Sequence, residues 1–98
     1  MFVILTGRPG VYRTDPGAGM RICETYEYLF CGRPRARYVI ATLPEDVKIR
    51  VIDEGPPERV SHVPSKFLEK FATVDAARER LRSLVGFGEL DTSLRKLA

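Results

Sequence analysis

The sequence predicts an α+β domain: an antiparallel sheet of four to five strands, built round a long β-hairpin over about residues 20–43, with two C-terminal helices packed on one face. Three observations carry this expectation. Two runs rich in aromatic and β-branched residues flank the short link Gly32-Arg33-Pro34-Arg35. Alternating or continuous apolar runs of strand length precede the tandem proline Pro56-Pro57, and helical spacing follows it. Strands first and helices afterwards is the order of an α+β chain rather than of alternating βαβ units.

Parity sets the register of the hairpin, because a slip of one residue turns every side chain to the opposite face. The even positions Ile22, Glu24, Tyr26, Tyr28 and Phe30 are greasier than the odd ones, and on the return run Ala36, Tyr38 and Ile40 are the apolar set. Even must therefore face even. A two-residue turn at Arg33-Pro34 would mix the faces, so a link of three or five residues is expected, with Gly32 at the strand end.

The other elements follow in order. Phe2 to Leu5 is continuously apolar, which predicts a central strand covered on both faces. Thr6-Gly7-Arg8-Pro9-Gly10 breaks it, Val11 to Thr14 is a brief strand, and Asp15-Pro16-Gly17 is turn chemistry. Val47, Ile49 and Val51 alternate with Lys48 and Arg50, the pattern of a half-solvated strand. Beyond the prolines, Val63, Phe67, Leu68 and Phe71 form one stripe of a short first helix that starts near Pro64. Thr73 caps a second, whose stripe is Val74, Ala77, Leu81, Leu84 and Val85, with Asp75, Arg78, Glu79, Arg80 and Arg82 on a solvated face and Gly86 as the stop. The domain is expected to occupy residues 1–88, leaving 89–98 as a tail that forms a short helical turn or frays.

Composition excludes some classes. A hydrophobic fraction of 44 % with 30 % charge fits a globular domain and not a disordered chain. Phe2 to Leu5 is too short for a signal-peptide core, no run is long enough to cross a bilayer, and a cytoplasmic location without membrane contact is expected. The net charge of +3 lies wholly in residues 1–44, where six arginines meet Asp15, Glu24 and Glu27. Cys23 and Cys31, of one parity on one strand, stand roughly 26 Å apart on a straight strand and are expected as buried or half-buried free thiols. With one histidine they fall short of a zinc set, and no cofactor is expected.

Candidate chemistry is sparse. Arg33, Arg35 and Arg37 at the hairpin tip, with Arg8, are candidate anion or nucleic-acid contacts, since planar guanidinium groups beside Tyr38 and Phe30 suit phosphates and stacked bases. The Thr6-to-Gly10 stretch resembles a phosphate loop poorly: Pro9 removes a donor and no helix follows, so a connecting turn is expected. His62, with Asp53 and Glu54 nearest in sequence, reads as a loop histidine at a helix entrance. Phe67, Leu68 and Phe71 form a candidate partner patch. The expected function is that of a non-catalytic binding or accessory protein acting through protein–protein contacts, including a homodimer built by edge pairing or by packing the second sheet face. Nucleic-acid binding at the basic tip is the first alternative, and a small redox accessory or enzyme using Cys23, Cys31 or His62 the second.

Overall fold

The protein is described by a computed structural model covering residues 1–84 and 92–97. It is an α+β chain, mostly antiparallel, whose strands form two sheets of four and three strands rather than one sheet. Among the described residues there are the strands β1 (Phe2–Gly7), β2 (Tyr12–Asp15), β3 (Ile22–Phe30), β4 (Arg33–Thr42), β5 (Lys48–Asp53), β6 (Arg59–Pro64) and β7 (Thr92–Lys96) and one α-helix, α1 (Val74–Leu84). The larger sheet runs β1-β4-β3-β7 and the smaller β2-β5-β6.

The strand β4 is an inner strand of the larger sheet, with β1 on one side and β3 on the other. Even positions do face even, with Tyr26 opposite Tyr38 and Tyr28 opposite Ala36, but not through an odd-length link. The connection is only Cys31-Gly32, both at positive φ (51° and 74°), as a tight two-residue turn matched to strand twist requires. That turn pairs Phe30 with Arg33, out of phase with the rest, and the register shifts between Tyr28 and Leu29 so that Arg35 is the extra residue on β4. A bulge, not the loop, restores the parity.

The two faces of this sheet bury different things. Val3, Leu5, Ala41, Leu43 and Ile49 form one core between the sheets, with Val39, Val47 and Leu68 against it. Ile40, Phe71, Ala77 and Leu81 form another under α1, joined by Tyr26, Tyr38, Phe2, Ile4 and Val74. The layers are therefore sheet, sheet, helix. Thr73 caps α1, its Oγ1 accepting from Ala76 N–H at 3.1 Å. Leu84 leaves the stripe and is exposed, while Val85, Gly86 and the 88/89 boundary lie outside the described residues.

Three further expectations are corrected. The first strand is covered on both faces, as its apolar run requires, but it stands at the edge of the sheet and not at its centre. The first of the two helices is absent: Arg59 to Pro64 is a strand paired with β5, and only Ser65–Phe67 makes a single 3-10 turn between extended residues Pro64 and Leu68. Ser65 explains the stop. Wholly buried, it gives its N–H to Val47 C=O (2.8 Å) and its hydroxyl to Asp46 (3.0 Å), and its Oγ accepts from Val47 N–H (2.9 Å), so it is tied to the turn before β5. The chain then crosses the β1 edge, Leu68 entering the inter-sheet core and Phe71 the helix-side core, with Phe2 and Phe71 exchanging two backbone hydrogen bonds of 2.8 Å. Finally, Thr92–Lys96 of the expected tail is no helical turn but an edge strand on β3, with Leu94 packed in the helix-side core. Edge pairing overrides the weak caps there.

Candidate functional site

The outer strand of the smaller sheet, β6, is an edge whose first four residues, Arg59, Val60, Ser61 and His62, are all exposed. Ser65 N–H bonds to Val47 C=O in register with the β5–β6 ladder, so the bonded pairs continue at Val63/Ile49, Ser61/Val51 and Arg59/Asp53. Val60 and His62 then turn their N–H and C=O groups away from β5. Val60, at 48 % exposure, and Phe67, at 73 %, are the large apolar residues along this side. Lys66 Nζ lies 5.3 Å from the Phe67 ring centroid.

The second feature is a groove of about 480 Å³ where the two sheets separate. Local sequence builds it. Arg8-Pro9-Gly10-Val11 is a turn with Pro at its second place and Gly10 at φ 79°, closed by Val11 N–H to Arg8 C=O at 2.9 Å. It returns the chain as β2, whose backbone passes so near Gly7 that a Cβ there would lie 3.3 Å from the Tyr12 carbonyl. Thr14 Oγ1 donates to Thr6 C=O at 2.5 Å. Arg37, opposite Gly7 on β4, and Arg8 line the groove with Thr25, Val39 and Leu5.

The charges in the groove are unequally matched. Arg13 is within 3.8 Å of Asp15 and of Glu54, and Arg50 donates to Asp15 at 3.1 Å, so both groove carboxylates are neutralised. Among the described residues, Arg8 and Arg37 have no carboxylate at ion-pair distance. Glu27, across from Arg37, is engaged by Arg95.

The sequence-expected residues are divided by the structure. Arg33 shares the face of Phe30, Arg35 is the bulge residue with its guanidinium carbon 5.8 Å from the Phe30 centroid, and Arg37 faces the groove, so the trio presents no single basic surface. Arg8 and Arg37 both line the groove. Phe67 is exposed, whereas Leu68 and Phe71 belong to the two cores and form no patch with it. His62 lies on β6 opposite Arg50, not in a loop at a helix entrance, and Asp53 pairs with Arg59 instead. Cys23 is half-buried in the helix-side core; Cys31, expected to be buried or half-buried, is exposed because the two-residue turn places it at the tip. These three groups do not meet.

Sequence reasoning missed Glu24. It is 5 % exposed, yet accepts from Arg78 through both oxygens (2.7 Å each), from Lys96 at 2.9 Å and from the Tyr26 hydroxyl at 2.9 Å. The hydrogen bonds from Arg78, then those from Lys96 and Tyr26, outweigh burial and hold the carboxyl well below the usual carboxylate range. Burial, followed by the Glu24 bond, pushes the Tyr26 phenol up. Arg78, expected on the solvated face of its helix, points inward instead. Even parity placed Glu24 on the helix-facing side; only the fold brings residues 78 and 96 to it.

Among the described residues no three His, Cys, Asp or Glu side chains cluster in a metal-holding arrangement, and no helix is long and apolar enough to cross a membrane. No family model, characterised protein or solved structure matches the chain.

Proposed function

We propose that the protein is a non-catalytic binding module that works through protein–protein contact along β6, with a second copy of itself as the first partner. The supporting observation is the open edge: Val60 and His62 turn backbone donors and acceptors outward, and an antiparallel strand of like sequence satisfies them about a two-fold axis. Pro64 and Arg59 limit the pairing to the middle of the strand, since Pro64 has no N–H to give and charge discourages extension. The separation of Cys23, Cys31 and His62 weighs against redox or acid–base chemistry that combines them. An exposed free thiol at Cys31 suits a reducing compartment such as the cytoplasm.

Sedimentation velocity over a concentration series tests this reading. The wild type should sediment as a dimer at high micromolar concentration, and His62→Pro, which removes an outward N–H but no bond to β5, should be monomeric with unchanged circular dichroism. A wild type that stays monomeric, or a His62→Pro variant that still dimerises, refutes it. A salt-sensitive shift with RNA or DNA that is lost on replacing Arg33 and Arg35 would move the assignment to the nucleic-acid alternative.

A further inference from the structure

We infer that the groove between the sheets binds a small amphipathic anion, its carboxylate, sulfonate or phosphate held by Arg8 and Arg37 and its apolar body lying against Leu5 and Val39. Four observations support this site, none of which involves the β6 contact. The groove, about 480 Å³, is of the size that takes a small organic molecule. Its two carboxylates are already compensated by Arg13 and Arg50, so the field inside is set by Arg8 and Arg37. Arg37 comes from β4 and Arg8 from the turn after β1, and both line this groove, Arg37 standing opposite Gly7, the residue before Arg8; a planar guanidinium suits the oxygens of a carboxylate or phosphate. Between them and the inter-sheet core lie Leu5 and Val39, which face the same space and belong to the apolar cluster. An inorganic ion satisfies only the first half of this surface; a neutral apolar molecule only the second.

The test uses 8-anilinonaphthalene-1-sulfonate as the probe, on the full chain, with three proteins: wild type, Arg8→Ala/Arg37→Ala, and Arg33→Ala/Arg35→Ala. The last loses the same charge at exposed positions outside the groove. Expected are saturation at one equivalent for the wild type and the Arg33/Arg35 variant, affinity at least about tenfold weaker for the Arg8/Arg37 variant, and displacement by phenyl phosphate or benzoate but not by benzyl alcohol. Amide shifts of Thr25 and Val39 in the wild type should move on adding phenyl phosphate, a readout that needs no variant. Equal affinity in all three proteins, equal loss in both variants, displacement by benzyl alcohol alone, or unmoved Thr25 and Val39 amides each overturns the inference.

Discussion

Arg78 of α1 closes a two-pronged ion pair on Glu24 of β3, with Nε and Nη2 each 2.7 Å from a carboxylate oxygen. Lys96 of β7 adds a third contact to the same carboxylate at 2.9 Å. One acid thereby joins three elements that are far apart in sequence: the third strand, the helix and the last strand. The arrangement supplements apolar packing by Ala77 and Leu81 on one side and by Leu94 on the other. It also fixes rotation, because α1 must turn Arg78 towards the sheet for both prongs to close.

The Glu24 cluster makes stability acid-sensitive. Its carboxyl is depressed in the folded chain and ordinary, near 4.3, in the unfolded chain. The contribution is therefore complete above that value and is lost as pH falls towards the folded-state pKa. Glu24→Gln should cost about 1–3 kcal/mol at pH 7, measured by urea unfolding, and the gap between variant and wild type should narrow steadily from pH 5 to pH 2. A gap that is constant over that range contradicts the assignment.

A second prediction concerns the turn between β3 and β4. Cys31 holds φ 51°, a region costly for side chains other than Gly, Asn and Asp. Cys31→Asn or Cys31→Gly should raise stability by roughly 0.5–1 kcal/mol, whereas Cys31→Val, β-branched, should lower it by about 1–2 kcal/mol. Thermal unfolding of the three variants under reducing conditions gives the order directly.

The third contrasts two glycines. A Cβ on Gly17 would sit 2.8 Å from Val47 Cγ2 and 3.1 Å from the Lys48 carbonyl, so Gly17→Ala forces the turn before β3 away from the start of β5 and should cost about 1–3 kcal/mol. Gly10 faces open space but has φ 79°, and Gly10→Ala should cost about 1 kcal/mol through backbone strain alone. Replacement of Gly10 by Asn, which tolerates that region, should recover most of the loss; Gly17→Asn should not.

Local patterns carried the elements whose environment is repeated along the chain. Alternation in Tyr26, Tyr38 and Ile40 places a face for α1, and Thr73 with the Val74, Ala77, Leu81 stripe places the helix on it. Where a residue's state depends on something distant, the pattern misleads. The Val63-to-Phe71 spacing suits a helix, but Ser65 is pinned to residues 46 and 47 and β6 completes a sheet with β5. The groove is legible only in part: Arg8 and Arg37 are suspect from charge alone, yet the turn that folds β2 over Gly7 builds the groove that both line, and the bulge at Arg35 keeps Arg33 and Arg35 out of it.

Phe67, Leu68 and Phe71 look alike in sequence and should behave differently on substitution. Phe71, at 8 % exposure, packs with Ile40 and Leu81 and bridges to Phe2, so Phe71→Ala should cost about 3–5 kcal/mol. Leu68 is partly buried against Leu43 and its neighbours between the sheets, and Leu68→Ala should cost less, about 1–3 kcal/mol. Phe67 contacts Lys66 through its ring and is otherwise largely in water, so Phe67→Ser should change stability by no more than about 0.5 kcal/mol. If β6 and the turn after it form the contact surface, Phe67→Ser should nonetheless weaken the dimer measured by sedimentation, while Leu68→Ala leaves its dissociation constant unchanged at temperatures where both variants are folded. The separation of the two readouts, stability falling at 71 and 68 and association falling at 67, distinguishes an interface residue from the core residues beside it.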